Sequence, residues 1–146
     1  MKITHKGDYA LKAILDLALH YEEGLVTIQA MSKRIDAPLK FLEQVLLELK
    51  RGKFIESRRG KVGGYLLSKP PKDITLGEVI RFIDGPLEPI ACINECYAHC
   101  NDLQHCVFRP IWQQVFKTTS NIVDNITFAD LAKKVEDARN IPVYSI

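Results

Sequence analysis

Four cysteines, Cys92, Cys96, Cys100 and Cys106, stand within fifteen consecutive positions of a 146-residue chain. Their spacing is C-x3-C-x3-C-x5-C, so no pair has the C-x2-C spacing of zinc ribbons or bacterial ferredoxins. The surrounding sequence has little helical or strand periodicity, and a loop lets ligands converge without sharing a helix face. Thiolates are the soft donors that iron–sulfur clusters require, and such a tetrad supplies three or four of them. Four thiolates, or three with an imidazole from His99 or His105, also suit a structural zinc ion. One of the four can equally be a spare, inert thiol.

The compartment bears on this choice. Residues 1–6 lack the charged, then apolar, then small-residue order of a signal peptide, and no run approaches the roughly 18 apolar residues of a membrane span. A cytoplasmic location and no membrane partner are therefore expected. In that compartment clustered cysteines indicate metal or redox chemistry rather than structural disulfides. The chain has no P-loop, dinucleotide fingerprint or G-x-S-x-G elbow, so neither an enzyme nor a small-molecule substrate is expected.

A second group of residues could do chemistry by charge. The net charge is only +2, but residues 33–61 carry nine Lys/Arg against four Asp/Glu. A basic stripe on a near-neutral chain implies a local polyanion contact, while a solvated helix face would look the same by charge alone. Lys40, Glu43 and Gln44 fall in the first turns of a helix whose other side is apolar. Glu can accept from cytosine N4 and Gln can pair with adenine in a major groove. Arg58, Arg59 and Lys61 surround a glycine-rich turn, and arginine is favoured in a narrow minor groove. Lys33, Lys50 and Lys53 are placed for phosphate contacts, which give affinity without sequence information.

These residues need elements to position them. Residues 8–21 read as a helix, with Ala10, Ala13, Ile14, Leu17, Ala18 and Tyr21 on one face and Leu11, Leu15 and Leu19 on the other. Thr27 caps a short helix to about Ile35, and Pro38 opens a longer one that stops at Gly52. A short helix, a tight turn and a longer helix with a polar outer face is a helix-turn-helix pattern. Residues 54–58 and 65–68 read as a hairpin around the basic glycine-rich tip, which is a wing. Thr75 and Glu78 form a capping box with Ile74 and Val79 as its staple. A long helix follows from Pro110 to about Asn125, with Trp112, Val115, Phe116, Thr119, Ile122 and Val123 on one side. Little core remains to cover that helix, so it reads as a dimer element; a helix folded back on its own domain gives the same periodicity. Thr127 caps a last helix carrying Leu131 and Val135. The expected fold is mainly α with one small β-hairpin. A winged helix-turn-helix domain at 1–85 is followed by a cysteine loop at 86–108, then a dimerisation helix and short C-terminal helix at 109–146.

The chain resembles the IscR/NsrR/RirA/CymR family of bacterial winged-helix regulators. The stretches that carry the resemblance are Met1-Lys2-Ile3-Thr4 through Asp8-Tyr9-Ala10-Leu11, Phe41-Leu42-Glu43-Gln44, Arg59-Gly60-Lys61-Val62-Gly63-Gly64-Tyr65, Gly77-Glu78-Val79-Ile80, the cysteine segment, Trp112, and Asn125-Ile126-Thr127. It implies a homodimer on a double-stranded operator with two half-sites, with repression the expected sense, and base-reading roles for Glu43 and Arg59. It also implies a [2Fe-2S] or [4Fe-4S] cluster on Cys92, Cys100 and Cys106, whose spacing is more like that of the iron-responsive RirA branch than of IscR. The His ligand of IscR-type members is replaced by Arg109, which cannot ligate. Asp8 occupies the place of the carboxylate that NsrR-type members donate from the other subunit, and so is the candidate fourth ligand. Cys96 has no family counterpart and competes for that position. The rival expectations are an electron-transfer or thiol-redox protein on the same cysteines, and a zinc-stabilised winged-helix regulator.

Overall fold

The computed structural model describes residues 1–94 and 97–141. Among these, six helices and one antiparallel hairpin form the chain. The first helix, α1 (His5–Leu19), begins three residues earlier than the sequence suggests, because the Thr4 hydroxyl accepts the Gly7 N–H at 3.0 Å. It also ends earlier, at His20, and the chain enters a 3-10 turn over Tyr21–Glu23. Tyr21, expected on the inward face, is therefore exposed. Ala10, Ala13, Ile14 and Leu17 are buried as expected, and Leu11, Leu15 and Leu19 pack against the same core from partly buried positions.

The helix-turn-helix consists of α2 (Ile28–Ile35) and α3 (Leu39–Arg51). Thr27 accepts the Ala30 N–H at 3.2 Å and starts α2. Asp36 ends it in the left-handed region at φ 51°, ψ 51°, a conformation that short polar side chains tolerate. Ser32 donates its hydroxyl to the Ala37 carbonyl at 2.6 Å across the turn. Pro38 sits just before the first turn of α3 rather than within it. Met31 from α2 and Leu42, Val45, Leu46 and Leu49 from α3 are fully buried.

Strands β1 (Ile55–Arg58) and β2 (Gly64–Leu67) pair from Ile55↔Leu67 to Arg58↔Gly64. Phe54 and Ser68 fall just outside the ladder although the sequence places them in it. Phe54 is buried and its carbonyl accepts the Ser68 N–H at 3.0 Å. The wing gains a third line of backbone pairing, since Val26 and Tyr65 exchange N–H···O bonds of 2.9 and 2.8 Å.

The capping box of α4 (Leu76–Asp84) forms as expected, with Ile74 and Val79 both without exposure. Helix α5 (Arg109–Asp124) is held to α4 by Arg81, whose guanidinium meets both Asp124 oxygens at 2.5 and 3.0 Å. This bond draws the Asp124 carboxyl below its ordinary range and raises Arg81. A small cluster of Ile80, Leu87 and Val123 packs the same contact. On the apolar side of α5 only Val123 is buried, while Trp112, Val115 and Ile122 are exposed, Ile122 at 56 %. Helix α6 (Phe128–Arg139) returns to α1 and seats Phe128 in the main core without exposure. No described helix is long and apolar enough to cross a membrane.

One ion pair between a buried carboxylate and a partly exposed guanidinium ties the helix-turn-helix to α1. Asp16 of α1 is 5 % exposed and receives Arg34 of α2 in a two-pronged bond, Nε at 2.8 Å and Nη2 at 2.9 Å. Arg34→Ala removes the two-pronged partner of that carboxylate. The expected cost is about 2–3 kcal/mol, read as a lower urea midpoint with unchanged slope. A midpoint within error of the parent's would show that the pair contributes nothing to stability.

Candidate nucleic-acid interface and cysteine segment

A groove of about 550 Å³ runs between α3 and the wing, floored by the start of α2. Glu43, Leu47 and Lys50 line it from α3, and Arg58, Arg59 and Gly60 from the hairpin. The four α3 residues Leu42, Val45, Leu46 and Leu49 face the core, so helical geometry turns Lys40, Glu43, Gln44 and Leu47 outward. Lys50 donates to Ser57 Oγ at 2.6 Å, which ties the end of α3 to β1. The structure thus brings Glu43, Arg58 and Arg59 to one groove. Lys40 and Gln44 stand exposed on the same helix, and Lys61 is exposed at the tip beyond it.

Two glycines make the hairpin possible. Gly60 has φ 134°, which a side chain rarely adopts. A Cβ on Gly64 would come within 2.6 Å of the Val26 carbonyl oxygen, so β2 can lie against the Val26 backbone only without a side chain there. The Val26 contact has no local signal in the sequence.

In the cysteine segment, a 3-10 turn spans Ala91–Ile93, and a further turn covers 101–105 before α5. Cys92 and Cys106 are half-buried and Cys100 is exposed; all three thiols are free. Cys96 lies outside the described residues. Among the described residues, no three Cys, His, Asp or Glu side chains are gathered closely enough to hold a metal ion. The donor chemistry nonetheless suits a cluster, with three thiols in one segment and none of them tied up in a disulfide. Arg109 has a structural role with no local signal in the sequence. Its Nε donates to the Cys92 carbonyl at 3.0 Å, pinning the first cysteine to the start of α5. Asp8 is at the other end of the fold's sequence, on the first turn of α1, in an ion pair with Lys12 at 2.7 Å. That pair raises Lys12 from its ordinary value, chiefly by the hydrogen bond that Lys12 donates to Asp8.

A helix-turn-helix joined to a basic hairpin with a shared groove defines the chain as a winged-helix transcriptional regulator, a class of non-enzymes. The comparisons with known proteins narrow the class. An Rrf2 family model, described as iron-dependent transcriptional regulator, matches residues 3–134, and the chain belongs to that family. It is 36 % identical to an rrf2-like HTH-type regulator of Rhodobacter capsulatus, over 92 % of this chain and 99 % of that one. Among solved structures it is similar to T. potens IscR, with TM-score 0.79, 30 % identity, and 99 % and 95 % of the two chains covered. It is also similar to CymR, the global cysteine regulator of B. subtilis, with TM-score 0.78, 28 % identity, and 92 % and 98 % covered.

Proposed function

We propose that this transcriptional regulator is a cytoplasmic homodimeric repressor whose operator affinity is set by an iron–sulfur cluster held by Cys92, Cys100 and Cys106. The observation that carries the reading is the set of three free thiols on one segment, anchored at both ends to the helices that flank it. Leu87 packs the segment's start onto α4 and α5, and Arg109 holds the Cys92 carbonyl. When bound, the cluster supplies a group whose presence and oxidation state change with iron supply or oxidants. The thiolates hold it, and the two anchors transmit the segment's position to α5. The exposed stripe of Trp112, Val115 and Ile122 is the surface through which α5 would pair with its copy, and that pairing sets the distance between two α3 helices. Asp8 from the second subunit is the fourth donor that the family resemblance suggests; it would have to leave Lys12 to serve.

The wing and α3 then act as the reading head. Glu43 and Arg59 contact base edges, and Lys40, Gln44, Arg58 and Lys61 add base and phosphate contacts. A switch requires that the two states differ in DNA affinity. The test is anaerobic purification, metal and sulfide analysis, and titration of an operator duplex with loaded and stripped protein. Iron with sulfide and a clear affinity difference support the reading. Equal affinity of the two forms, or stoichiometric zinc alone, overturns it.

A second reading is favoured by the exposed Cys100 thiol and the likeness to CymR. In it, control acts at the thiols themselves and no cluster forms. Colourless, iron-free protein whose DNA binding responds to thiol oxidation would support that reading instead.

A further inference from the structure

Leu47 is 50 % exposed in the middle of α3, although Leu46 beside it is fully buried. A single exposed leucine elsewhere on a protein needs no explanation. Here its position supplies one. It lines the groove between α3 and the wing with Glu43, Lys50, Arg58 and Arg59. Ile28 and Tyr65 line the same groove but pack against the core, so Leu47 stands proud of a floor that the fold has already closed. Lys50 is held against Ser57 at 2.6 Å, and the two arginines face it from the hairpin. Cations on both walls suit a sugar–phosphate strand crossing between helix and wing, which brings the outer face of α3 against the base edges beyond it. Neither Glu43 nor Leu47 gains anything from a phosphate: it repels the one and offers the other no bond. In a major groove both have partners. Cytosine N4 donates to a carboxylate, and the 5-methyl of thymine is the apolar group presented there. Leu47 follows Glu43 by four residues on the same face, so the two stand about 6 Å apart along the helix, roughly two base-pair steps of a duplex.

We infer that Leu47 is a specificity-determining residue that packs on the 5-methyl group of a thymine in each half-site. The inference rests on the reading of α3 and the wing as the face that meets the duplex, and it is independent of any cluster. It adds an apolar contact to a face whose other exposed groups act by hydrogen bond or charge.

The probe is the duplex that full-length wild type enriches from a random-sequence library. Each of its thymines is replaced in turn by deoxyuridine, which removes the methyl and keeps the base pair. Affinities are then measured for wild type and for Leu47→Ala. In wild type, one position per half-site is expected to lose about fourfold, the contribution of one buried methyl. That position should lie about two base pairs from the one whose discrimination Glu43→Ala flattens. In Leu47→Ala the same replacement is expected to cost less than about 1.5-fold, because the partner of the methyl is already gone. Leu47→Ala should melt with wild type, since the side chain is exposed and alanine favours a helix. Should it not fold, Leu47→Ser takes its place with the same expectation. Deoxyuridine effects of equal size in both proteins at every position overturn the role of Leu47 and leave the groove standing as the duplex-binding face. Wild type that enriches no sequence overturns both readings.

Discussion

Replacing Arg58, Arg59 and Lys61 together by alanine is expected to weaken operator binding at least a hundredfold. The three side chains are exposed on the hairpin, and two of them line the groove shared with α3. Each contact to a phosphate or base edge contributes on the order of 1 kcal/mol or more, and three together exceed the ~2.7 kcal/mol that a hundredfold change represents. The loss should also have a particular form. Removing three cations should make the plot of log affinity against log salt shallower by about three. Glu43→Ala provides the contrast. It removes a base-edge acceptor and no cation, so it should leave the salt slope unchanged while flattening discrimination between operator variants. Fluorescence anisotropy at four or five salt concentrations measures both. An unchanged slope in the triple variant would show that the wing does not touch the duplex. Neither set of changes should lower stability by more than about 0.5 kcal/mol, since all four side chains are exposed.

Serine in place of Cys92, Cys100 or Cys106 is expected to empty the protein of iron almost completely. The hydroxyl matches the thiol in size but ionises far above neutral pH and is a poor ligand for soft metals. Because Cys100 is exposed, Cys100→Ser should melt with the stripped wild type, which separates a lost ligand from a damaged fold. Its operator affinity should equal that of the stripped protein under all iron conditions. Cys96→Ser is expected to retain its iron. Iron and acid-labile sulfide per chain decide the matter, and full occupancy in Cys100→Ser would remove that residue from the ligand set.

What could be read from the sequence follows the range of the interactions involved. Thr27, Thr75 with Glu78, and Thr127 each cap a helix through an N–H three residues away, so their signals are local and the helices start where those residues predict. The Thr4 cap is as local, yet the apolar periodicity begins only at Ala10 and drew the expected start of α1 too late. The groove is legible for the same reason. Buried Leu42, Val45, Leu46 and Leu49 force Glu43 outward, and a basic hairpin directly after the helix has to lie beside it. The partners that were not legible are distant in sequence. Arg34 reaches Asp16 eighteen positions away, Arg109 reaches Cys92 seventeen away, and Arg81 reaches Asp124 forty-three away. Each reads as one more solvated charge until the fold closes.

The paired backbone of Val26 and Tyr65 has an effect on how a duplex must be met. Those two bonds, together with the close approach at Gly64, make the hairpin a bracket rather than a swinging arm. The offset between the helix that enters one groove and the tip that enters the next is then built into the protein before any encounter. A target whose grooves are spaced otherwise has to be twisted or bent to match, and the energy of that deformation depends on base steps that no side chain touches. Selectivity among operators is thereby partly a matter of how readily the DNA itself yields.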